Sequence, residues 1–145
     1  MTVTTTTRTD PAARLTKGCM LIVFGLLVNV APVAAADKDM SKEYSTCIDK
    51  SNGVTSEILD CISAEHERQD ARLNENYKKL MSKLSPKRKE QLLEAQRAWV
   101  KFRDANCRFY YDPEGGSAAH LAGTDCMLQA TADRATELKD LTQDE

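Results

Sequence analysis

Residues 95–107 read AQRAWVKFRDANC and carry the most distinctive pattern of the chain. The pattern belongs to a longer predicted helix from Pro86 to about Tyr111. Five residues of this helix share one face at spacings of 3, 4, 3 and 4: Leu92, Ala95, Trp99, Phe102 and Asn106. This spacing predicts an amphipathic helix that buries those positions. Because the single tryptophan, Trp99, lies on the stripe, we expect it at the centre of the core.

Gln96 and Arg103 share a helix face with Trp99, and we expect them to join a buried polar network there. Residues 73–77 read LNENY and can supply the partners, with Asn74 the predicted one and Tyr77 beside it in the core. The alternative is an exposed Trp/Arg hot spot for a protein partner. The position of Trp99 on the apolar stripe favours the core.

Loop signals on both sides of this helix mark the boundaries of the other predicted helices. Upstream, Ser85-Pro86 ends a predicted helix over about 56–84, which Thr55 or Ser56 can cap. Before that helix, Asn52-Gly53 separates it from a shorter helical segment over about 40–50. Downstream, residues 112–116 form a loop, and a last helix runs from Ser117 through Leu141, with Gly123 expected to loosen or break its beginning.

No sustained alternation of apolar and polar residues indicates a strand. Three longer helices with short loops are antiparallel neighbours. The predicted fold is therefore all-α, a small antiparallel three-helix bundle with a short N-terminal helical arm and two disulfides.

The N-terminal 36 residues have the pattern of an export signal. Residues 1–18 are polar with three basic side chains, residues 19–33 are almost wholly apolar, and three alanines end the segment at Ala36. We expect residues 1–36 to be a signal peptide, residues 37–145 to be one helical domain, and the protein to be periplasmic or secreted. The alternative is an uncleaved segment that would hold the chain at a membrane.

Cleavage would remove Cys19 and leave four cysteines: Cys47, Cys61, Cys107 and Cys126. Exported chains meet oxidising conditions, which favours two disulfides. Four cysteines allow three pairings, and we favour the two local ones, Cys47–Cys61 and Cys107–Cys126. In the chain-entropy model, a closed loop of this size contributes about 3 kcal/mol.

The charge balance excludes a strongly basic nucleic-acid-binding protein. The full chain has 20 Lys and Arg against 22 Asp and Glu, a net charge of −2. Loss of residues 1–36 removes three basic residues and one acidic residue, so the rest carries −4. A cationic protein partner is compatible with that charge.

The sequence contains none of the residue patterns that indicate a catalytic or cofactor site. It lacks a Cys-x-x-Cys pair, a phosphate-binding loop, a Gly-x-Ser-x-Gly elbow and a His-Glu-x-x-His helix. His66 and Asp70 share a helix face, but two metal ligands are too few, and we interpret residues 65–72 as a solvated stretch. His120 has no base or nucleophile nearby. We expect no enzyme, metal, cofactor or small-molecule substrate.

On these motifs the chain resembles the LprI-type lysozyme inhibitor family of small exported bacterial proteins. The resemblance spans about Cys47 to Leu141. It rests on the four cysteines, Leu73-Asn74-x-x-Tyr77-x-x-Leu80, the 95–107 run, Gly115-Gly116-Ser117 and Thr131-x-x-Arg134-x-x-Glu137-Leu138. It implies an exported inhibitor without catalytic residues, in which Asn74, Tyr77, Gln96, Trp99 and Arg103 are structural.

Two functions stay open. The first is a non-catalytic binding protein that blocks the substrate cleft of a lysozyme, such as a c-type enzyme. Its candidate contacts are Asp112 and Glu114 in the loop, and Glu65 and Asp70 on the polar helix face. The second is a structural or envelope-associated protein with a different periplasmic or cell-wall partner.

Overall fold

The computed structural model describes residues 40–144, so the predicted signal peptide, residues 1–36, lies outside the described residues. Within them are four helices: α1 (Lys42–Lys50), α2 (Thr55–Lys83), α3 (Pro86–Tyr110) and α4 (Gly116–Asp144). No strand occurs in residues 40–144. The predicted all-α bundle with a short N-terminal arm is confirmed. None of the helices in this range has the length and apolar character needed to cross a bilayer.

The core lies where α4 packs along α2. It consists of Leu73, Leu80 and Leu84 from α2 and the loop after it, and Ala135 and Leu138 from α4. Tyr77, Leu92 and Trp99 are partly buried around this cluster. Helix α4 is therefore the central element, since it packs against both α2 and α3, while α1 packs against α2.

Helix α3 lies on the outside of the α2–α4 pair and has one fully buried residue, Cys107. Its packing face carries Leu92, Gln96, Trp99 and Arg103, whereas Ala95, Phe102 and Asn106 are exposed. The prediction that these last three residues are buried was wrong. Trp99 lies at the edge of the core and not at its centre, because α3 is covered mainly by one neighbouring helix.

Helix ends follow the sequence signals closely but not in every detail. Ser41 caps α1 by accepting a hydrogen bond from the backbone N–H of Tyr44 at 3.0 Å. The cap of α2 is Val54, not Thr55 or Ser56, and it makes no side-chain hydrogen bond. Helix α4 begins at Gly116, so Ser117 lies inside its first turn.

Two disulfides crosslink the helices in pairs. Cys47 of α1 is bonded to Cys61 of α2, and Cys107 of α3 is bonded to Cys126 of α4, with Cα–Cα distances of 5.7 and 5.4 Å. These are the two pairs that the sequence favours. Each bond crosslinks two consecutive helices, which restricts the unfolded chain and stabilises the fold.

Gly123 does not interrupt α4, contrary to the sequence expectation. It is buried because the ring of Tyr111 lies directly against its Cα: a Cβ at this position would come within 2.4 Å of the ring. The Tyr111 hydroxyl is 3.0 Å from Thr124 Oγ1, which holds the ring in place. The glycine therefore allows the end of α3 to close onto α4.

We expect Gly123→Ala to destabilise the fold by about 1–3 kcal/mol, because the added methyl group overlaps the Tyr111 ring. Urea denaturation measures the change. In a Tyr111→Leu background the same substitution should cost much less, since alanine is the better helix former once the ring is gone. An equal cost in both backgrounds would contradict the contact.

Candidate protein-binding surface

Glu65 of α2 has no exposed side-chain surface, although it lies in the charged run predicted to be solvated. Its Oε1 accepts hydrogen bonds from the Ser41 backbone N–H at 2.9 Å and from Gln69 Nε2 at 2.7 Å. Its Oε2 accepts from the Ser41 hydroxyl at 2.5 Å and from Arg68 Nε at 2.8 Å. The two donors from Ser41 tie the start of α1 to α2, and the two from Arg68 and Gln69 satisfy the carboxylate within α2.

The prediction of Glu65 as a partner contact is therefore wrong, because the side chain cannot reach a partner. Burial raises the pKa of Glu65, but the hydrogen bonds from Ser41, Gln69 and Arg68 outweigh it and hold that pKa below its ordinary value. The folded protein thus keeps Glu65 ionised where the unfolded chain begins to protonate it.

Because the folded-state pKa is the lower one, ionised Glu65 stabilises the fold above its ordinary pKa of 4.5. This contribution should be lost as the pH falls through the lowered folded-state pKa. We expect Glu65→Gln to cost about 1–3 kcal/mol at neutral pH and to flatten the acid limb of the stability profile. Denaturation from pH 7 to pH 3 measures both effects. The exposed neighbour, as Glu67→Gln, is the control, and an identical acid limb in both variants would contradict the assignment.

A second polar cluster surrounds Trp99 on the inner face of α3. The guanidinium carbon of Arg103 lies 5.0 Å from the ring centroid, and that of Arg134 lies 5.9 Å from it. Gln96 accepts a hydrogen bond from Arg134 Nε at 3.0 Å, and Glu137 pairs with Arg134 at 2.7 Å. Trp99 and Gln96 are thus held between α3 and α4 by cation–π contacts and one hydrogen bond.

Thr131 connects this cluster to α2. Its buried hydroxyl receives a hydrogen bond from Arg103 at 3.4 Å and lies 3.2 Å from His66 Nε2. Burial and the charge of Arg103 lower the pKa of His66, so the imidazole is neutral at pH 7. The neutral imidazole and the Thr131 hydroxyl share one hydrogen bond between α2 and α4. All three long helices meet at this point, and the polar groups there form hydrogen bonds with one another.

Asn74 is not the partner of Gln96 or Arg103, so that prediction was wrong. Its side chain is exposed and donates to the backbone and carboxylate of Asp70, both at 2.9 Å. The buried asparagine is Asn76, which donates to the backbone oxygen of Ala135 at 2.8 Å and joins α2 to α4. Two residues along a helix differ by about 200° in direction, so the two asparagines face nearly opposite sides.

The two asparagines form a matched pair for a stability test. We expect Asn76→Ala to lower the free energy of unfolding by about 1–2 kcal/mol, because a buried interhelical hydrogen bond is lost. Asn74→Ala should change it by less than about 0.5 kcal/mol. Chemical denaturation of both variants decides the comparison. Equal losses would show that Asn74 has the structural role instead.

The end of the α3–α4 hairpin, residues 109–116, differs from the polar clusters because all its side chains except that of Tyr111 are exposed. Phe109 is 84% exposed and Tyr110 is 47% exposed, and their rings meet edge to face at 5.9 Å. Asp112 and Glu114 follow directly, and both are exposed. Exposed aromatic rings are enriched at protein-binding surfaces, and the carboxylates beside them suit the polar rim of such a surface.

The hairpin end is held rigidly despite its exposure. The Cys107–Cys126 disulfide lies just behind it, and Tyr111 packs on Gly123. Within the loop, Asp112 accepts from the backbone N–H of Glu114 at 2.9 Å, and its carbonyl accepts from the N–H of Gly115 at 3.0 Å. A preorganised loop loses little conformational freedom on binding.

A shallow groove continues from the hairpin end between α3 and α4. It has a volume of about 440 Å³, and its polar lining comes from Asn106, Tyr110, Asp125, Gln129 and Asp133. Asp125 accepts a hydrogen bond from Gln129 at 3.1 Å. The groove thus adds two more carboxylates to the acidic and aromatic surface.

The other candidate positions lack the exposed aromatic rings beside carboxylates that the hairpin end has. A groove of about 620 Å³ between α1 and α2 is lined by charges of both signs, including Lys42, Glu43, Lys50 and Asp60. Asp70 is exposed but bonded to Asn74. His120 is exposed, with its ring centroid 5.7 Å from that of Tyr111. Within residues 40–144 no cluster of three or more His, Cys, Asp or Glu residues has metal-binding geometry.

Asp112 and Glu114 of this candidate surface were named as candidates from the sequence, whereas Phe109, Tyr110 and Asp125 were not. The available signal was the pair of aromatic residues directly before the Asp-Pro-Glu-Gly-Gly loop, since large apolar residues at a helix end beside a polar loop are poorly placed for a core. Asp125 carried no such signal, because only the packing of α4 on α3 brings it beside Tyr110.

The fold and this surface define a small disulfide-crosslinked helical protein with an exposed aromatic and acidic end. The chain belongs to the family described as lysozyme inhibitor LprI, whose model matches residues 47–138. An uncharacterized protein of Rhizobium meliloti (strain 1021) is 28% identical over 97 residues, covering 57% of this chain and 70% of the relative. No solved structure matches the chain significantly.

Proposed function

We propose that this protein is an exported, non-catalytic inhibitor of lysozyme that blocks the substrate cleft with the end of its α3–α4 hairpin. Family membership supports the inhibitor class. The observation that supports this choice of binding surface is the exposed pair Phe109 and Tyr110 next to the carboxylates of Asp112 and Glu114. The two disulfides fit an oxidising compartment, in keeping with export.

Each part of the hairpin end has a physical role in this proposal. The carboxylates attract a cationic enzyme and orient it during encounter. The Phe109 and Tyr110 rings supply apolar area that is desolvated in the complex and anchors it. The disulfide and the packing of Tyr111 on Gly123 keep the projecting end in one conformation. Inhibition then follows from occlusion of the cleft, with no cofactor and no bond formed or broken.

The proposal is tested by titrating the oxidised full-length chain into a c-type lysozyme assay on cell-wall substrate. We expect saturable inhibition near stoichiometric ratios, weaker at physiological than at low salt because screening reduces the attraction of the carboxylates. No inhibition at large excess, from a sample shown to be helical and oxidised, would overturn the proposal. Binding to isolated cell wall would then support the envelope-associated alternative.

Variants of the hairpin end locate the contact. Phe109→Ser should weaken inhibition by roughly thirtyfold or more, as expected for an aromatic anchor. Asp112→Asn with Glu114→Gln should mainly slow association, and asparagine keeps the acceptor that caps the loop. The control is Asp70→Asn on α2, the other exposed candidate. Loss of inhibition in the control alone would move the contact to α2.

A further inference from the structure

Helix α3 presents a second apolar stripe that faces solvent. Ala98, Phe102, Ala105 and Phe109 follow one another at spacings of 4, 3 and 4, and all four are exposed. Phe102 is 66% exposed and Phe109 is 84% exposed. The stripe lies beside the packing face of the helix and is not part of it.

Positive charge is concentrated on the same helix. Although the chain as a whole carries −2, α3 holds seven basic and three acidic residues. Of these, Arg103 and Asp104 are bonded to each other at 2.8 Å. Lys101 and Arg108 are exposed and follow the stripe on one side along the helix, with Arg97 further round. Glu94 lies on the same side of the helix, seven residues before Lys101. From residue 97 to the C-terminal end of α3, the outer face is therefore apolar at its centre and cationic at this edge.

The fold leaves this face open over most of its length. Helix α3 packs mainly on α4, and its inner face is occupied by the Trp99 cluster. A helix of 25 residues is about 37 Å long, and one end is fixed by the Cys107–Cys126 disulfide. The stripe is thus carried on a long helix that is anchored near its C-terminal end.

We propose that the outer face of α3 binds the surface of an anionic phospholipid bilayer. The helix lies in the plane of the interface, Phe102 inserts below the headgroups, and Lys101 and Arg108 contact lipid phosphates. Phe109, at the C-terminal end of the stripe, stays available for the proposed enzyme contact. A second copy of this chain fits the face less well, because the basic edges would repel each other. A cationic enzyme is disfavoured for the same reason, so this face is separate from the acidic groove.

The binding test uses the oxidised full-length chain and vesicles of phosphatidylglycerol with phosphatidylcholine, or of phosphatidylcholine alone, in co-sedimentation. The apolar residues 19–33 are common to all variants, so differences between variants report on α3. We expect stronger binding to the anionic vesicles than to phosphatidylcholine alone, and we expect this difference to weaken with salt. Phe102→Ser should lower the partition coefficient by roughly tenfold, and Lys101→Gln by roughly fivefold.

Matched substitutions elsewhere are the controls. Leu141→Ser removes a 39% exposed apolar side chain from α4, and Lys78→Gln removes an exposed charge from α2, so neither should alter binding. Equal binding to both vesicle types, or equal losses in the controls, would overturn the proposal. Self-association abolished by Phe102→Ser without lipid binding would also overturn it. Unchanged lysozyme inhibition by Phe102→Ser would separate this face from the hairpin end.

Discussion

The buried carboxylate of Glu65 is the interaction that fixes the position of α1 on α2. It accepts hydrogen bonds from the N–H and hydroxyl of Ser41, so the residue that caps α1 is also the residue that satisfies Glu65. The Cys47–Cys61 disulfide crosslinks the same two helices. An ionised group without exposure survives in a small protein only when its acceptor sites are filled. The arm is therefore an integral part of the fold.

The same principle extends through the interior. Besides its few leucines and alanines, the core contains buried Gln69, Asn76, Thr131 and Arg134. Within the described residues no buried side-chain nitrogen or oxygen lacks a hydrogen-bond partner. Each of these groups has a defined partner on its own or a neighbouring helix, which fixes how the helices are rotated against one another. In such a core the polar groups fix the orientation of the helices, and the disulfides stabilise the fold.

Because the polar and apolar packing is concentrated on α2 and α4, α3 is left with two solvent-facing features of different chemistry. Its C-terminal end carries aromatic rings beside carboxylates, and its outer face carries phenylalanines beside basic residues. The proposed inhibitor would use the first for a cationic enzyme and the second for an anionic bilayer. An inhibitor held at the membrane surface by one face of a helix would still present the end of that helix to its target.

The amino-acid sequence determined the helical class and, to within a few residues, the positions of the loops, and it favoured the disulfide pairs that the structure contains. These features depend on local signals: Ser85-Pro86, the loop over 112–116, and the spacing of the cysteines. Helical periodicity also placed Leu73, Leu80 and Leu138 in the core correctly.

Only the tertiary structure decided which flank of the α3 stripe is covered. The sequence predicted Ala95 and Phe102 in the apolar stripe with Trp99, and Gln96 and Arg103 in a buried polar network on the same side of the helix. Gln96 and Arg103 are partly buried because Arg134 and Thr131 of α4 form hydrogen bonds with them, whereas Ala95 and Phe102 are exposed. A single sequence does not show which neighbour will be present. For the same reason Asn76 and Glu65 are buried while Asn74 is exposed.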